Sequence, residues 1–122
     1  MANSRVLYAV VAAGLALAAW HGYFAWRAIA MFDDQEPLTS WLAVTLGPAL
    51  TLAGAIVAVS RPVAGGATVL AAGVLSAAAF LAGERGWTDY VPPYLLKFTL
   101  PVLAVGCALI VVGRIRTEGR KE

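Results

Sequence analysis

Four long apolar runs constrain what this chain can fold into more than any other feature of its sequence. They cover residues 6–26, 41–60, 63–83 and 94–113. Each run is close to the roughly 20 residues that a helix needs to cross a lipid bilayer. Of the 122 residues, 61% are hydrophobic and only 13% charged, whereas a soluble domain usually has about 25% charged residues. Little of the chain remains for a soluble domain.

This pattern predicts an all-α integral membrane protein. The short connections between the runs favour a four-transmembrane-helix, up-and-down bundle. We expect one such domain over residues 1–122, which ends in a short basic cytoplasmic tail. The predicted helices cover about 5–29, 39–60, 62–83 and 93–115.

The first apolar run has an alternative interpretation. Arg5, the apolar residues after it and the small residues up to Ala18 and Ala19 are typical of a cleaved signal peptide. However, the apolar character continues to Trp26, which makes the run long enough to span a bilayer. We expect the first helix to be retained, and cleavage remains the alternative.

Basic residues are distributed unevenly between the two ends of the predicted helices. If both termini lie on one side, that side holds six of the nine Lys and Arg residues, and basic flanks normally lie in the cytoplasm. We therefore expect a multi-pass protein of the cytoplasmic membrane, of the bacterial inner-membrane type, with both termini cytoplasmic. The residues expected to set this topology and to contact lipid headgroups are Arg5, Arg61, Arg114, Arg116, Arg120 and Lys121.

Small residues recur at helical spacing within the runs. Residues three, four or seven apart lie on one side of a helix, and small side chains let transmembrane helices approach closely. The third run is the richest in Gly and Ala, so we expect it to be the central packing helix. The residues expected in helix contacts are Gly14, Ala18, Gly66, Gly73, Ala77 and Gly106.

The single histidine, His21, lies where aromatic residues are concentrated. Under the expected topology, eleven of the twelve aromatic residues belong to the outer half, and Tyr8 alone lies near the cytoplasm. Since aromatic belts usually mark both interfaces, this cluster indicates either an outer belt with packed loops or a groove for a lipid, a hydrophobic ligand or a partner helix. His21 is expected to bond a backbone or hydroxyl group, or to pair with an outer acid. The candidate outer pocket comprises His21, Trp20, Phe24, Trp41, Glu84, Trp87, Asp89 and Tyr94, with Glu84 and Asp89 as the acids.

Several kinds of chemistry lack the residues that they need. No Asp, Glu, Lys or Arg lies near the middle of a predicted helix, where proton-coupled carriers and ion pumps usually place one. One histidine, without a second imidazole or thiolate on the outer side, predicts no metal site, and we expect no cofactor. No nucleophile lies beside a base in the sequence. An enzymatic role is therefore disfavoured but left open.

These features favour a non-enzymatic accessory or interaction protein of the cytoplasmic membrane. Its expected partners are membrane lipids and either another membrane protein or copies of itself, and no nucleic acid. One alternative is a small oligomeric transporter, channel or holin-like pore. Another is a lipid- or quinone-contacting enzyme subunit that uses His21 and the outer aromatic cluster. The hydroxyl groups available to a pore belong to Thr45, Thr51, Thr68, Ser76 and Thr99.

The charge pattern predicts the side on which the C-terminus lies. A reporter fused after Glu122 and active only in the cytoplasm should be active, because the basic tail resists translocation. The matched control is a fusion after Asp34, which should be inactive. An active periplasmic reporter at the C-terminus would contradict the topology.

Overall fold

Four long helices make up the protein in a computed structural model that describes residues 2–35, 38–83 and 95–121. α1 spans Ala2–Ala30, α2 Leu38–Ala58 and α3 Pro62–Gly83. A π-helical turn, Leu95–Thr99, leads directly into α4, Leu100–Lys121. The described residues contain no strand, and all four helices are long and apolar enough to cross a membrane.

The turn between α2 and α3 begins two residues earlier than predicted. α2 ends at Ala58 rather than at 60, and the amides of Ser60 and Arg61 donate to the Val57 carbonyl at 3.1 and 2.8 Å. The cause is Pro62, because proline disfavours helical geometry in the residue before it. α3 then begins at Pro62, a position that suits proline because the first helical residue needs no amide partner.

The fourth helix continues beyond its predicted end, and a π turn precedes it. It continues to Lys121 instead of ending near 115, since Arg, Lys and Glu in the tail are good helix formers. At its start, Pro101 has no N–H to give the Lys97 carbonyl. The preceding residues form a π turn, in which the hydrogen-bond ladder reaches back five residues instead of four. The predicted start at 93 lies outside the described residues.

The interior of the bundle is formed mainly by small side chains, and the exterior by large apolar ones. Only 28% to 39% of the most apolar stretch of each candidate span is buried. Leucine, isoleucine and valine side chains are exposed on α2, α3 and α4, which suits a lipid environment rather than water. On α1 the buried positions alternate by four and three residues; they are Leu7, Val11, Gly14, Ala18, His21 and Ala25.

Glycines bring the backbones of α2, α3 and α4 into direct contact. A Cβ atom on Gly54 would lie 2.7 Å from the Gly65 carbonyl oxygen, and one on Gly65 would collide with the Gly54 carbonyl oxygen. On the other side of α3, a Cβ on Gly66 would lie 2.7 Å from the Gly106 carbonyl oxygen. Helix α3 thus packs closely against two neighbours, as expected of a central packing helix.

The two ends of the bundle differ in how closely the helices approach. We call the end at residues 59–61 the turn end and the end at residues 31–37 the loop end. The α2–α3 glycine contact lies toward the turn end. Gly54 is within four residues of the last residue of α2, Ala58, and Gly65 is within four residues of the first residue of α3, Pro62. Toward the loop end, Gly47 faces the Ser76 hydroxyl at 3.5 Å, an ordinary contact with a side chain rather than with backbone.

Substitution of Gly65 by alanine tests the backbone contact. We expect Gly65→Ala to destabilise the protein by about 2 kcal/mol, the usual cost of overpacking, because its Cβ would collide with α2. Gly22→Ala is the matched control, since nothing lies within 4 Å of a Cβ there, and it should be neutral or stabilise by up to about 1 kcal/mol through helix propensity. The free energy of unfolding in mixed micelles measures both. Equal changes in the free energy of unfolding for Gly65→Ala and Gly22→Ala would contradict the close backbone contact at Gly65.

Candidate functional site

A cavity of about 290 Å³ lies between the four helices in the loop-end half of the bundle. All four helices contribute to it, with the π turn as part of the α4 side. Most of its lining is apolar, which is the usual character of a small-molecule site. The lining residues are His21, Phe24, Ala25, Ala28, Ala43, Val44, Gly47, Pro48, Ser76, Phe80, Phe98 and Val102.

Aromatic rings separate α1 from α4 at the level of the cavity. The Phe98 ring lies 4.9 Å from the His21 imidazole and 5.6 Å from the Phe24 ring, measured between centroids. Trp20 stacks on Phe98 at 5.7 Å and 18°. Further toward the turn end, the same two helices meet through a small residue, with a Cβ on Gly14 only 3.4 Å from Val105. The rings therefore hold the helices apart where the cavity lies.

Each helix places one polar side chain in the buried interior. The four are His21, Thr51, Ser76 and Thr99, which lies in the π turn that leads into α4. His21 and Ser76 line the cavity; Thr99 follows the lining residue Phe98, and Thr51 lies one turn after Gly47. The Ser76 hydroxyl donates to the Gly73 carbonyl at 3.3 Å. We call these four buried side chains the polar layer.

Three atoms of this polar layer are buried without a hydrogen-bond partner among the described residues. They are His21 Nε2, Thr51 Oγ1 and Thr99 Oγ1. An unpaired buried polar group costs about 1–3 kcal/mol, and such groups in folded proteins normally bond water or a ligand. His21 is only 5% exposed and lines the cavity, and its Nε2 atom is itself closed off from solvent.

Pro48 adds a backbone feature to the same wall. α2 continues through this proline, which has no N–H to give the Val44 carbonyl. Thr45 does not replace that bond, because its hydroxyl donates to the Trp41 carbonyl at 2.6 Å. Both Val44 and Pro48 line the cavity.

The predicted outer pocket overlaps this cavity only in part. His21 and Phe24 line it, and Trp20 packs against its wall from outside. Trp41 does not line it and packs edge-on against Phe32, with centroids 5.0 Å apart. The remaining predicted pocket residues lie outside the described residues; they are Glu84, Trp87, Asp89 and Tyr94. The predicted pairing of His21 with Glu84 or Asp89 therefore also concerns residues that the structure does not describe.

Two of the rings that line the cavity were not part of the predicted pocket. Phe80 and Phe98 were counted only in the outer aromatic cluster, and both line the cavity. No sequence signal separates them from the other outer aromatic residues, because helix packing decides which face turns inward. The glycine Gly47, opposite Ser76, was not singled out for the same reason.

The predicted packing and topology residues lie away from the cavity. Ala77 is half-buried, and the other packing residues, Gly14, Ala18, Gly66, Gly73 and Gly106, are buried. Arg5, Arg61 and Arg114 are exposed. Arg116, Arg120 and Lys121 belong to the last turns of α4, where only the backbone is described.

Arg27 is held at the loop end of α1. Its Nη1 atom donates to the Tyr23 hydroxyl at 3.2 Å, and its guanidinium carbon lies 5.9 Å from the Tyr23 ring centroid. Both side chains are exposed, so this pair lies on the outer surface of the bundle and not in the cavity.

The described part of the chain contains no group of three or more His, Cys, Asp or Glu residues able to hold a metal ion. Comparisons with protein-family models, curated proteins and solved structures find no match to this chain. The geometry of the cavity is therefore the basis for inferring function.

Substitution of a threonine by valine tests whether the polar layer contains an unpaired hydroxyl. Thr51→Val should stabilise the protein by about 1 kcal/mol, because it removes a buried hydroxyl without a partner and keeps the shape. Thr45→Val is the control; it loses the 2.6 Å bond to Trp41 and should be neutral or destabilise by up to about 1 kcal/mol. Unfolding free energies in mixed micelles measure both. A destabilised Thr51→Val would contradict the unpaired state.

Proposed function

We propose that this protein is a non-enzymatic accessory protein of a cellular membrane that binds a hydrophobic ligand inside its helix bundle. The single observation that carries the proposal is a cavity of about 290 Å³ whose wall includes the buried His21, a residue whose Nε2 atom has no hydrogen-bond partner among the described residues. Clefts of this kind between the helices of a bundle are common sites for small molecules.

The composition of the cavity wall supports a ligand over a permanent void. A void lined only by apolar groups can remain dry and empty. Here the wall also includes His21 and Ser76, so a ligand in the cavity lies beside polar as well as apolar residues. At about 290 Å³, the space is near the lower limit of ordinary ligand pockets, about 300 Å³. A small molecule, or the head of a larger one, fits this size.

The proposed orientation places the cavity in the outer leaflet. If the four helices cross the cytoplasmic membrane up and down with both termini in the cytoplasm, the loop end faces outward. The exposed basic residues Arg5, Arg61 and Arg114 are consistent with a cytoplasmic turn end. The ligand is then one that reaches the outer half of the bilayer.

Binding is better supported than conduction or catalysis. Among the described residues, the buried polar side chains are one histidine and three hydroxyl residues, without Asp, Glu, Lys or Arg. The half-buried Thr45 and Thr68 donate to their own helices, to the carbonyls of Trp41 and Ala64. The Ser76 hydroxyl likewise donates to the Gly73 carbonyl, which leaves only Thr51 and Thr99 unpaired among the five hydroxyl residues available to a pore.

Filling the cavity tests the proposal. Ala25 is buried in the wall, so Ala25→Leu places three additional carbons in the cavity. Ala19→Leu is the matched control, because Ala19 is exposed on the same helix. After purification in mild detergent, hydrophobic molecules are extracted and quantified per protein by mass spectrometry. We expect one retained compound class in the wild type and in Ala19→Leu, and at least about a tenfold loss in Ala25→Leu, since steric exclusion of this size exceeds 1.4 kcal/mol.

Two results would contradict the proposal. In the first, the wild-type protein retains no hydrophobic compound above the level of bulk lipid. In the second, Ala25→Leu retains as much of the compound as Ala19→Leu. The second result would place any bound lipid on the outer surface rather than in the cavity.

A further inference from the structure

We infer that the turn end has a binding site for one anionic phospholipid, formed by Arg61 and Arg114 together with the exposed apolar side chains beside them. The site lies at the opposite end of the bundle from the cavity, and it requires only that the helices lie in a membrane. Three observations support it. The fold places the two arginines beside each other, neither has a partner among the described residues, and an apolar stripe of α4 leads to them.

A close contact between α3 and α4 places the two arginines side by side. A Cβ atom on Gly113 would lie 2.9 Å from the Cβ atom of Pro62 and 2.8 Å from a methyl carbon of Val63. Arg114 follows Gly113 in the chain, and Arg61 precedes Pro62. The two arginines are distant in the sequence, yet each is the chain neighbour of a residue in this contact. Their long side chains therefore start close enough to bind one phosphate group, the anion that arginine pairs with best.

Both guanidinium groups are available to an anion. Arg61 and Arg114 are exposed, and neither forms a hydrogen bond or ion pair with another described residue. The two acids whose side chains the structure describes, Asp33 and Asp34, follow α1 at the loop end. The tail after Ile115 adds three basic and two acidic residues, which are Arg116, Arg120, Lys121, Glu118 and Glu122. Basic residues thus outnumber acids at the turn end, which favours an anionic partner.

An exposed stripe on α4 distinguishes a lipid from a soluble anion. Cys107, Val111 and Arg114 are spaced by four and three residues, so they lie on one face of the helix, and all three are exposed. Ile115 extends this face, four residues after Val111. Val111 and Ile115 are 54% and 49% exposed, and Val63, across the contact with α3, is 40% exposed. A phosphate with hydrocarbon chains can use these apolar side chains, whereas a soluble phosphate gains nothing from them.

The site lies where the apolar segments end. The candidate span of α2 ends at Ala58, that of α3 begins at Pro62 and that of α4 ends at Ile115. Arg61 and Arg114 are therefore next to the ends of three spans. When these helices cross a bilayer, the headgroups of one leaflet lie at this boundary, and a bound headgroup keeps its acyl chains beside the stripe.

The only cysteine provides a probe beside the site. A fluorophore attached to the exposed Cys107 lies seven residues from Arg114 on the same helix face, about 10 Å along the helix. The full-length protein is placed in phosphatidylcholine vesicles that contain a minor fraction of brominated phosphatidylglycerol or brominated phosphatidylcholine. Bromine on the acyl chains quenches the fluorophore when that lipid lies beside it. Since one basic residue near anionic lipid contributes about fivefold in affinity, we expect about a 25-fold preference for phosphatidylglycerol.

Glutamine variants separate the proposed pair from the general charge of the turn end. Arg61→Gln and Arg114→Gln should each lower the preference to about fivefold, and the double variant should lower it to about onefold. Arg5→Gln is the matched control. Arg5 is exposed and lies two residues before the buried Leu7, which places it on the far face of α1. A helix is about 10 Å wide, so salt at physiological strength screens this charge, and the preference should change by less than about twofold.

Each outcome supports or overturns one part of the inference. Equal quenching by the two brominated lipids overturns the anionic lipid. A loss of preference in Arg5→Gln as large as that in Arg114→Gln overturns the two-arginine site and assigns the preference to the general charge of the turn end. Excess glycerol phosphate, a soluble phosphate ester, should leave the preference unchanged. If glycerol phosphate abolishes the preference, the two arginines bind soluble phosphates, and the lipid is overturned.

Discussion

The backbone contact between Gly54 and Gly65 determines the spacing of the helices in this protein. Each glycine lies where a Cβ atom would collide with the carbonyl oxygen of the other. Helices α2 and α3 therefore approach more closely than they could with any other residue at these two positions. Gly66 and Gly106 bring α3 and α4 together in the same way. Close packing and weak contacts between backbones stabilise helix pairs in a membrane, because apolar side chains gain little by leaving lipid.

The cavity results from the loss of this close approach at the loop end. There, Phe24 and Phe98 separate α1 from α4, and the glycine Gly47 of α2 faces a side chain of α3 instead of its backbone. A π turn precedes α4, and α2 contains Pro48. π turns are frequent at functional sites, and here the turn contributes Phe98, whose ring is the closest measured aromatic neighbour of His21. One end of the bundle thus provides stability and the other provides space.

The helices were predictable because length and apolarity alone define a membrane-spanning segment. The four runs correspond to helices that are long and apolar enough to span a bilayer, with differences at 59–60 and after 115 that proline and helix propensity explain. The cavity was only partly predictable. His21 and Phe24 belong to the predicted pocket, but the inward position of Phe80 and Phe98 depends on how α3 and α4 rotate, and no periodic signal in such uniformly apolar segments defines that rotation. The predicted contribution of residues 84–94 concerns a part of the chain that the structure does not describe.

Since His21 is the only histidine in the chain, nitrogen NMR of protein labelled with ¹⁵N-histidine reports on the central claim most directly. The spectrum contains one imidazole, and the shift of Nε2 depends on its hydrogen bond. We predict that this shift changes when retained hydrophobic molecules are stripped by detergent exchange, and that unstripped Ala25→Leu already has the stripped value. A shift that is the same before and after stripping, and the same in Ala25→Leu, would contradict a ligand bound at His21.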